Sequence, residues 1–136
     1  MLPSFPFMRF AFATDDGIEF TKEHFGSAKY YLIYECDENK NFKFIEKVEN
    51  CTGEEEKHGD EKKARNVMKF MEERNVKVFV GAAMGPNIVF IRKRFVPVIS
   101  RIKRIEEAIE KIDVDEIEKE AEKPFGKERK IIYIKP

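Results

Sequence analysis

The chain has 136 residues, enough for one domain with its own core and without disulfides or metals as staples. Its 26 Lys and Arg balance 26 Asp and Glu, and this zero net charge argues against a general nucleic-acid binder, which would carry a strong basic excess. Charged residues reach 38%, mostly Lys and Glu, the enrichment of hyperthermophile proteins, so a heat-adapted source is expected.

Residues 1–7 (MLPSFPF) lack the cationic start and apolar stretch of a signal peptide and read as a short tail, with Met8 a second candidate start. Met8 to Thr14 alternates, is Phe-rich, and predicts a strand that stops at the turn signal Asp15-Asp16-Gly17. Ile18 to Phe25 is short and irregular. Lys29 to Cys36 predicts a second strand from its aromatic and β-branched content. A polar loop, Asp37 to Asn41, turns the chain into a third strand, Phe42 to Val48, and Asn50 to Asp60 is an acidic loop.

Ala64, Val67, Met68 and Met71 have helical spacing, so a helix is predicted over Glu61 to Arg74. Val76 to Val80 is a short apolar strand. Gly81 to Pro86 is a small-residue turn, with Pro86 suited to the first position of a brief helix, Asn87 to Arg94. In the strand Val96 to Ile99, Pro97 suggests an edge position. Ile105, Ala108, Ile109 and Ile112 line an amphipathic helix, and Asp113-Val-Asp115 restarts a charged one to about Lys123. After Pro124-Phe-Gly126, Lys130 to Lys135 is either a last strand or an arm onto a partner. No run of about 18 apolar residues is present to span a membrane.

A three-strand meander followed by crossovers through helices gives a mixed sheet with helices on both faces, the three-layer α/β/α arrangement of ribonuclease-H-like folds. Five strands are expected, with the second antiparallel, and a charged extension over residues 113–136 beyond a domain at 8–112. In that topology the C-terminal ends of the first, third, fourth and fifth strands share one edge, where α/β sheets bind ligands. The loops brought there are Asp15–Gly26, Asn50–Asp60, Gly81–Pro86 and Ser100–Lys103. They carry both histidines of the chain, His24 and His58, with Cys51 between them in sequence. Cys36 falls at the opposite edge. The two cysteines lack the CxxC spacing of a zinc or redox site and read as reduced cytosolic thiols, so a cytoplasmic protein is expected.

Met8-Arg-Phe-Ala-Phe-Ala-Thr-Asp-Asp-Gly17, Glu23-His-Phe-Gly-Ser-Ala28, Tyr31-Leu-Ile-Tyr34, His58-Gly59, Gly81-Ala-Ala-Met-Gly-Pro86 and Ile105-Glu-Glu-Ala108 succeed one another in a familiar order. In these segments the chain resembles the dinitrogenase iron–molybdenum cofactor biosynthesis family, the nitrogenase accessory factor-like proteins. The resemblance runs from Met8 to Ile112 and implies a ribonuclease-H-like fold. It also implies a non-catalytic role in binding or carrying iron–sulfur or iron–molybdenum cluster precursors, with metallocluster donor or acceptor proteins as partners. The sequence departs from the family pattern at Glu54-Glu55-Glu56, before His58, and at Ser100-Arg101.

On this reading His24 is the leading metal or cluster ligand, followed by His58 and Cys51, with Gly26 letting a ligand come close. The free N–H groups of the turn from Gly81 through Gly85 to Pro86 could hold an anion or acidic cluster ligand, although small residues that let strand and helix pack closely explain that turn more simply. The plainer alternative is a histidine that shapes its turn. One Cys and two His do not close a tetrahedral site, so exogenous ligands or a second subunit of a homo-oligomer would complete it. Asp15 and Asp16, with Glu19, Glu23 or Asp60, could instead hold two metal ions for phosphoryl transfer, although turn chemistry explains Asp-Asp-Gly more simply. A third reading is an interaction domain that docks through its tail, Phe125 to Pro136. Arg92-Lys93-Arg94 with Arg101, Lys103 and Arg104 read as a local basic region, more simply solvated helix ends.

Overall fold

In the computed structural model, residues 7–50 and 60–136 are described, residues 60, 61, 63 and 64 by backbone alone. Alternation of large and small apolar residues makes β1 (Met8–Thr14) the centre of the sheet. Phe10 and Phe12 point to one face and Ala11 and Ala13 to the other, all four fully buried. β1 pairs antiparallel with β2 (Tyr30–Cys36), which pairs antiparallel with β3 (Phe42–Glu49). On its other side β1 pairs parallel with β4 (Val76–Gly81), followed by β5 (Val96–Ser100) and β6 (Ile132–Ile134), also parallel. The order β3-β2-β1-β4-β5-β6 is a five-stranded ribonuclease-H-like core with a sixth strand added from the C-terminal extension.

The two faces have different fillings. Phe10 and Phe12 meet Phe20, Val78, Val80 and Val98 beneath α3 (Ile105–Ile109) and α4 (Val114–Ala121). On the opposite face the β1 alanines leave room for a ladder of rings: Phe25 stacks on Phe79 at 4.5 Å and Phe79 on Phe95 at 4.4 Å. α1 (Asp60–Glu72) and α2 (Ile88–Ile91) cover this layer, α1 burying Val67, Met68 and Met71 at helical spacing. Burying each such side chain stabilises the fold by about 1.5–3 kcal/mol.

Several sequence expectations change. Pro97 does not mark an edge strand, because β5 lies between β4 and β6; the β6 ladder begins only at Val98, so Pro97 escapes pairing on that flank. Pro86 precedes Asn87, the N-cap of α2, instead of opening the helix. The expected helices over 87–94 and 105–112 contract to one turn each. Asp113 does restart the chain as α4, its carboxylate accepting the Glu116 N–H at 3.2 Å. The tail is a strand of its own sheet, not an arm reaching outward. No helix among the described residues is long and apolar enough to cross a membrane.

Candidate functional site at the C-terminal rim of the parallel strands

β1, β4 and β5 end together, and the loops leaving them are sewn to one another. The Thr14 hydroxyl donates to the Glu19 carbonyl at 2.6 Å and accepts the Gly17 N–H at 2.8 Å. Asp16 accepts the Ile18 and Glu19 N–H groups at 2.8 and 2.9 Å. These backbone donors, Glu19 first, hold its carboxyl below the ordinary value. Asp15 accepts the Thr21 hydroxyl at 2.8 Å and the Lys29 N–H at 3.0 Å. Both carboxylates are anchors of the turn, as the simpler reading of Asp-Asp-Gly expects. The Phe20 N–H donates to the Lys103 carbonyl and the Ile105 N–H to the Ile18 carbonyl, each at 3.0 Å, so the segment after β5 joins the same rim.

The next loop carries His24. Phe25 is fully buried in the ring ladder and opens a single 3-10 turn, Phe25–Ser27. Its N–H donates to the Ala83 carbonyl at 2.9 Å, and its own carbonyl accepts the Tyr31 hydroxyl at 2.7 Å. Burial pushes the Tyr31 phenol well above its ordinary range, keeping it a neutral donor. With Phe25 drawn inward, His24 is turned outward and exposed.

Gly85 makes this placement possible. Its φ is +77°, the left-handed region that glycine adopts without a Cβ penalty. The imidazole lies directly over it: a Cβ built on Gly85 would stand 2.5 Å from His24 Nδ1 and 2.7 Å from Cγ. Gly81 serves a different need. It is buried, and a Cβ there would meet only ordinary contacts, the nearest being the Ala83 carbonyl at 3.4 Å and Phe25 Cδ1 at 3.6 Å.

Asn50, just past β3, ties the end of that strand to the histidine loop as well. Its Nδ2 donates to the Gly26 carbonyl at 3.0 Å and the Ala28 carbonyl at 2.7 Å, and lies 3.2 Å from the Tyr31 hydroxyl. Of the residues picked out from sequence, His24, Gly26, Gly81 and Gly85 therefore share one rim. Cys51 and His58 lie outside the described residues. Among the described residues no group of three or more His, Cys, Asp and Glu is placed to hold a metal ion. Asn50 and the Ala83 carbonyl carry the site's framework yet were not legible in the sequence, since their partners are remote in the chain.

Cys36 is buried at the far edge, its thiol pushed up to about 11 by burial and by Asp37 and Glu118. The expected basic region is divided by β5: Arg92 to Arg94 precede the strand and Arg101 to Arg104 come after it. Arg94 pairs with Glu72, and Arg101 lies over the Tyr133 ring.

No curated protein matches the chain. A family model described as dinitrogenase iron-molybdenum cofactor matches residues 7–114, which include β1 to β5 and every described residue of the rim. The chain therefore belongs to the dinitrogenase iron–molybdenum cofactor biosynthesis family, whose members are non-catalytic accessory proteins of metallocluster handling.

Proposed function

We propose that this protein binds an iron–sulfur or iron–molybdenum type cluster, or its precursor, as cargo, and passes it between donor and acceptor proteins. The observation that carries the reading is the exposed His24 imidazole seated on the left-handed backbone of Gly85 at the rim where three parallel strands end. A ring held in place by close backbone is pre-oriented for ligation, while its exposure leaves the remaining metal positions open.

One imidazole does not retain a cluster, so further donors are required. Cys51 directly succeeds Asn50, whose amide is fastened to the carbonyls of Gly26 and Ala28. His58 lies in the same connection and is the second imidazole of the donor set. Gly85, lacking a side chain, leaves the imidazole its seat at the rim. A second subunit or a small thiol completes the coordination, and such partial ligation favours release to an acceptor. Reduced thiols of this kind belong to a cytoplasmic setting.

The test is anaerobic reconstitution with iron and sulfide, or with isolated cofactor, and then absorbance and electron paramagnetic resonance. Wild type should take up cluster, His24→Ala should lose the cluster-dependent bands, and Cys51→Ala or His58→Ala should load weakly. Unchanged spectra in His24→Ala would remove the imidazole from the site and the proposal with it.

A further inference from the structure

A cleft of about 910 Å³ opens at the opposite edge of the sheet, where β1, β4 and β5 begin and β2 ends. It shares no lining residue with the His24 rim, and its size lies within the range of small-molecule sites. Its apolar lining includes Val76, Phe95 and two exposed rings, Phe7 and Phe125, which are 54% and 75% accessible. Single exposed aromatics are ordinary on a surface, but here both border one concavity.

The charged lining is mixed, with Arg9, Glu38, Glu122 and Lys123 also at its border, but its cations gather on one side. On the β4–β5 side stand Lys77, Arg94 and Arg129, with Glu72 the carboxylate paired to Arg94. Lys77 is half-buried and its ammonium donates to the Arg94 carbonyl at 2.9 Å, which uses one of its three protons. It forms no ion pair among the described residues. The Arg129 guanidinium is 1% accessible and donates to carbonyls alone, those of Glu120, Lys123 and Lys127. Burial, then the charges of Arg129 and Arg94, press the Lys77 ammonium toward its neutral form. On the far side, by Cys36, Asp37 and Glu118 are acidic.

We propose that this cleft binds a small amphipathic organic anion, its carboxylate or phosphate on Lys77 and its apolar body against Phe95 and Phe125. An anion supplies what Lys77 lacks among the described residues: acceptors for its two spare protons and an ion-pair partner. The acidic far wall fixes the polarity of binding by repelling the anionic end. Arg94, stacked 4.9 Å over Phe125, holds that ring at the mouth. The site does not depend on the cluster-carrier reading, because it uses neither the rim nor its histidine.

Calorimetric titration of the full chain with octanoate, phenyl phosphate, 1-octanol and inorganic phosphate tests the assignment. At least one of the two amphipathic anions should bind about tenfold or more tighter than both octanol, which lacks charge, and inorganic phosphate, which lacks an apolar body. Which of the two binds identifies the anionic group. Lys77→Gln, which keeps a donor for the Arg94 carbonyl, should weaken that anion about tenfold, and Lys77→Arg should hold it within about threefold. Phe125→Ala, an exposed change that the fold tolerates, should weaken it several-fold. Amide shifts on binding should centre on Val76, Lys77 and Phe125 and leave His24 and Gly85 unmoved. The proposal is overturned if neither anion outbinds octanol, if Lys77→Gln and Phe125→Ala both bind as wild type, or if the shifts centre elsewhere.

Discussion

Replacing Gly85 by alanine separates backbone strain from displacement of the imidazole. At φ +77° an L-residue costs about 1–2 kcal/mol, which for a chain of this size lowers Tm by roughly 3–10 °C. The new methyl would also stand 2.5 Å from His24 Nδ1, where ordinary contact begins near 3.4 Å, so the ring must withdraw by about 1 Å. Because the ring is exposed, withdrawal adds little to the stability loss and should appear in the site. Gly17 and Gly126 provide the control: their φ values are +84° and +92°, and a Cβ on either meets nothing within 4 Å. Thermal denaturation should therefore show similar losses for Gly85→Ala, Gly17→Ala and Gly126→Ala. Imidazole ¹⁵N–¹H spectra should shift for His24 only in Gly85→Ala, and anaerobic cluster loading should fall only there. Superimposable His24 resonances in wild type and Gly85→Ala, or equal shifts in Gly17→Ala, would refute the role given to this contact.

Asn50→Ala leaves the Gly26 and Ala28 carbonyls without their amide donor, and should cost about 1–3 kcal/mol in urea denaturation while lowering cluster loading. The Glu19 and Ile18 N–H groups favour the Asp16 carboxylate and hold its carboxyl below the ordinary value. Its contribution is therefore present above the ordinary carboxylate value and fades as pH falls through the lowered one. The Tm advantage of wild type over Asp16→Asn should shrink steadily in scans from about pH 6 to about pH 2, and a constant advantage would contradict the assignment. Arg129→Met removes the donors from three carbonyls and should cost about 2–4 kcal/mol by urea midpoint, with Arg129→Lys recovering only part of it.

Short apolar runs bounded by turn residues and one 3.6-residue period carried most of the fold, because β1, β2 and β4 are largely buried on both faces and α1 buries Val67, Met68 and Met71. Grouping His24 with Gly81 and Gly85 also came from strand direction alone, since parallel strands must end on one side. What escaped the sequence was non-local. Pro97 signals an edge in isolation, yet β6 reaches β5 only beyond it, from Val98. Asn50 looks like any loop asparagine until the Gly26 and Ala28 carbonyls are seen in front of it. In sequence Gly85 belongs to a turn that offers N–H groups to an anion or packs strand on helix, whereas its neighbour in the fold is the imidazole itself. The two arginine-rich triplets appear adjacent on paper because the strand between them is only five residues long, but a strand of that length separates its flanks by roughly 15 Å.

The two edges of the sheet are built from different parts of the chain, and this gives the C-terminal segment a definite purpose. All of the described rim around His24 lies within the family-matched residues 7–114. The other edge depends on the C-terminal extension beyond them. Phe125 and Arg129 line the cleft, β6 covers the flank of β5 that would otherwise present unpaired backbone, and Ile132 and Ile134 enter the core. The guanidinium of Arg129 holds this arrangement together by satisfying carbonyls at the negative end of α4. Arg129 and Arg92 exchange two bonds, N–H to carbonyl at 2.8 Å and Nε to carbonyl at 2.9 Å, and the Gly126 N–H meets the Lys93 carbonyl at 2.9 Å. The turn that launches β5 is thus clasped by the extension, and that turn supplies Arg94 and Phe95 to the cleft. A segment so deeply engaged cannot be a passive tail. Through Phe125 and Arg129 it lines the proposed cleft, at the sheet edge opposite His24.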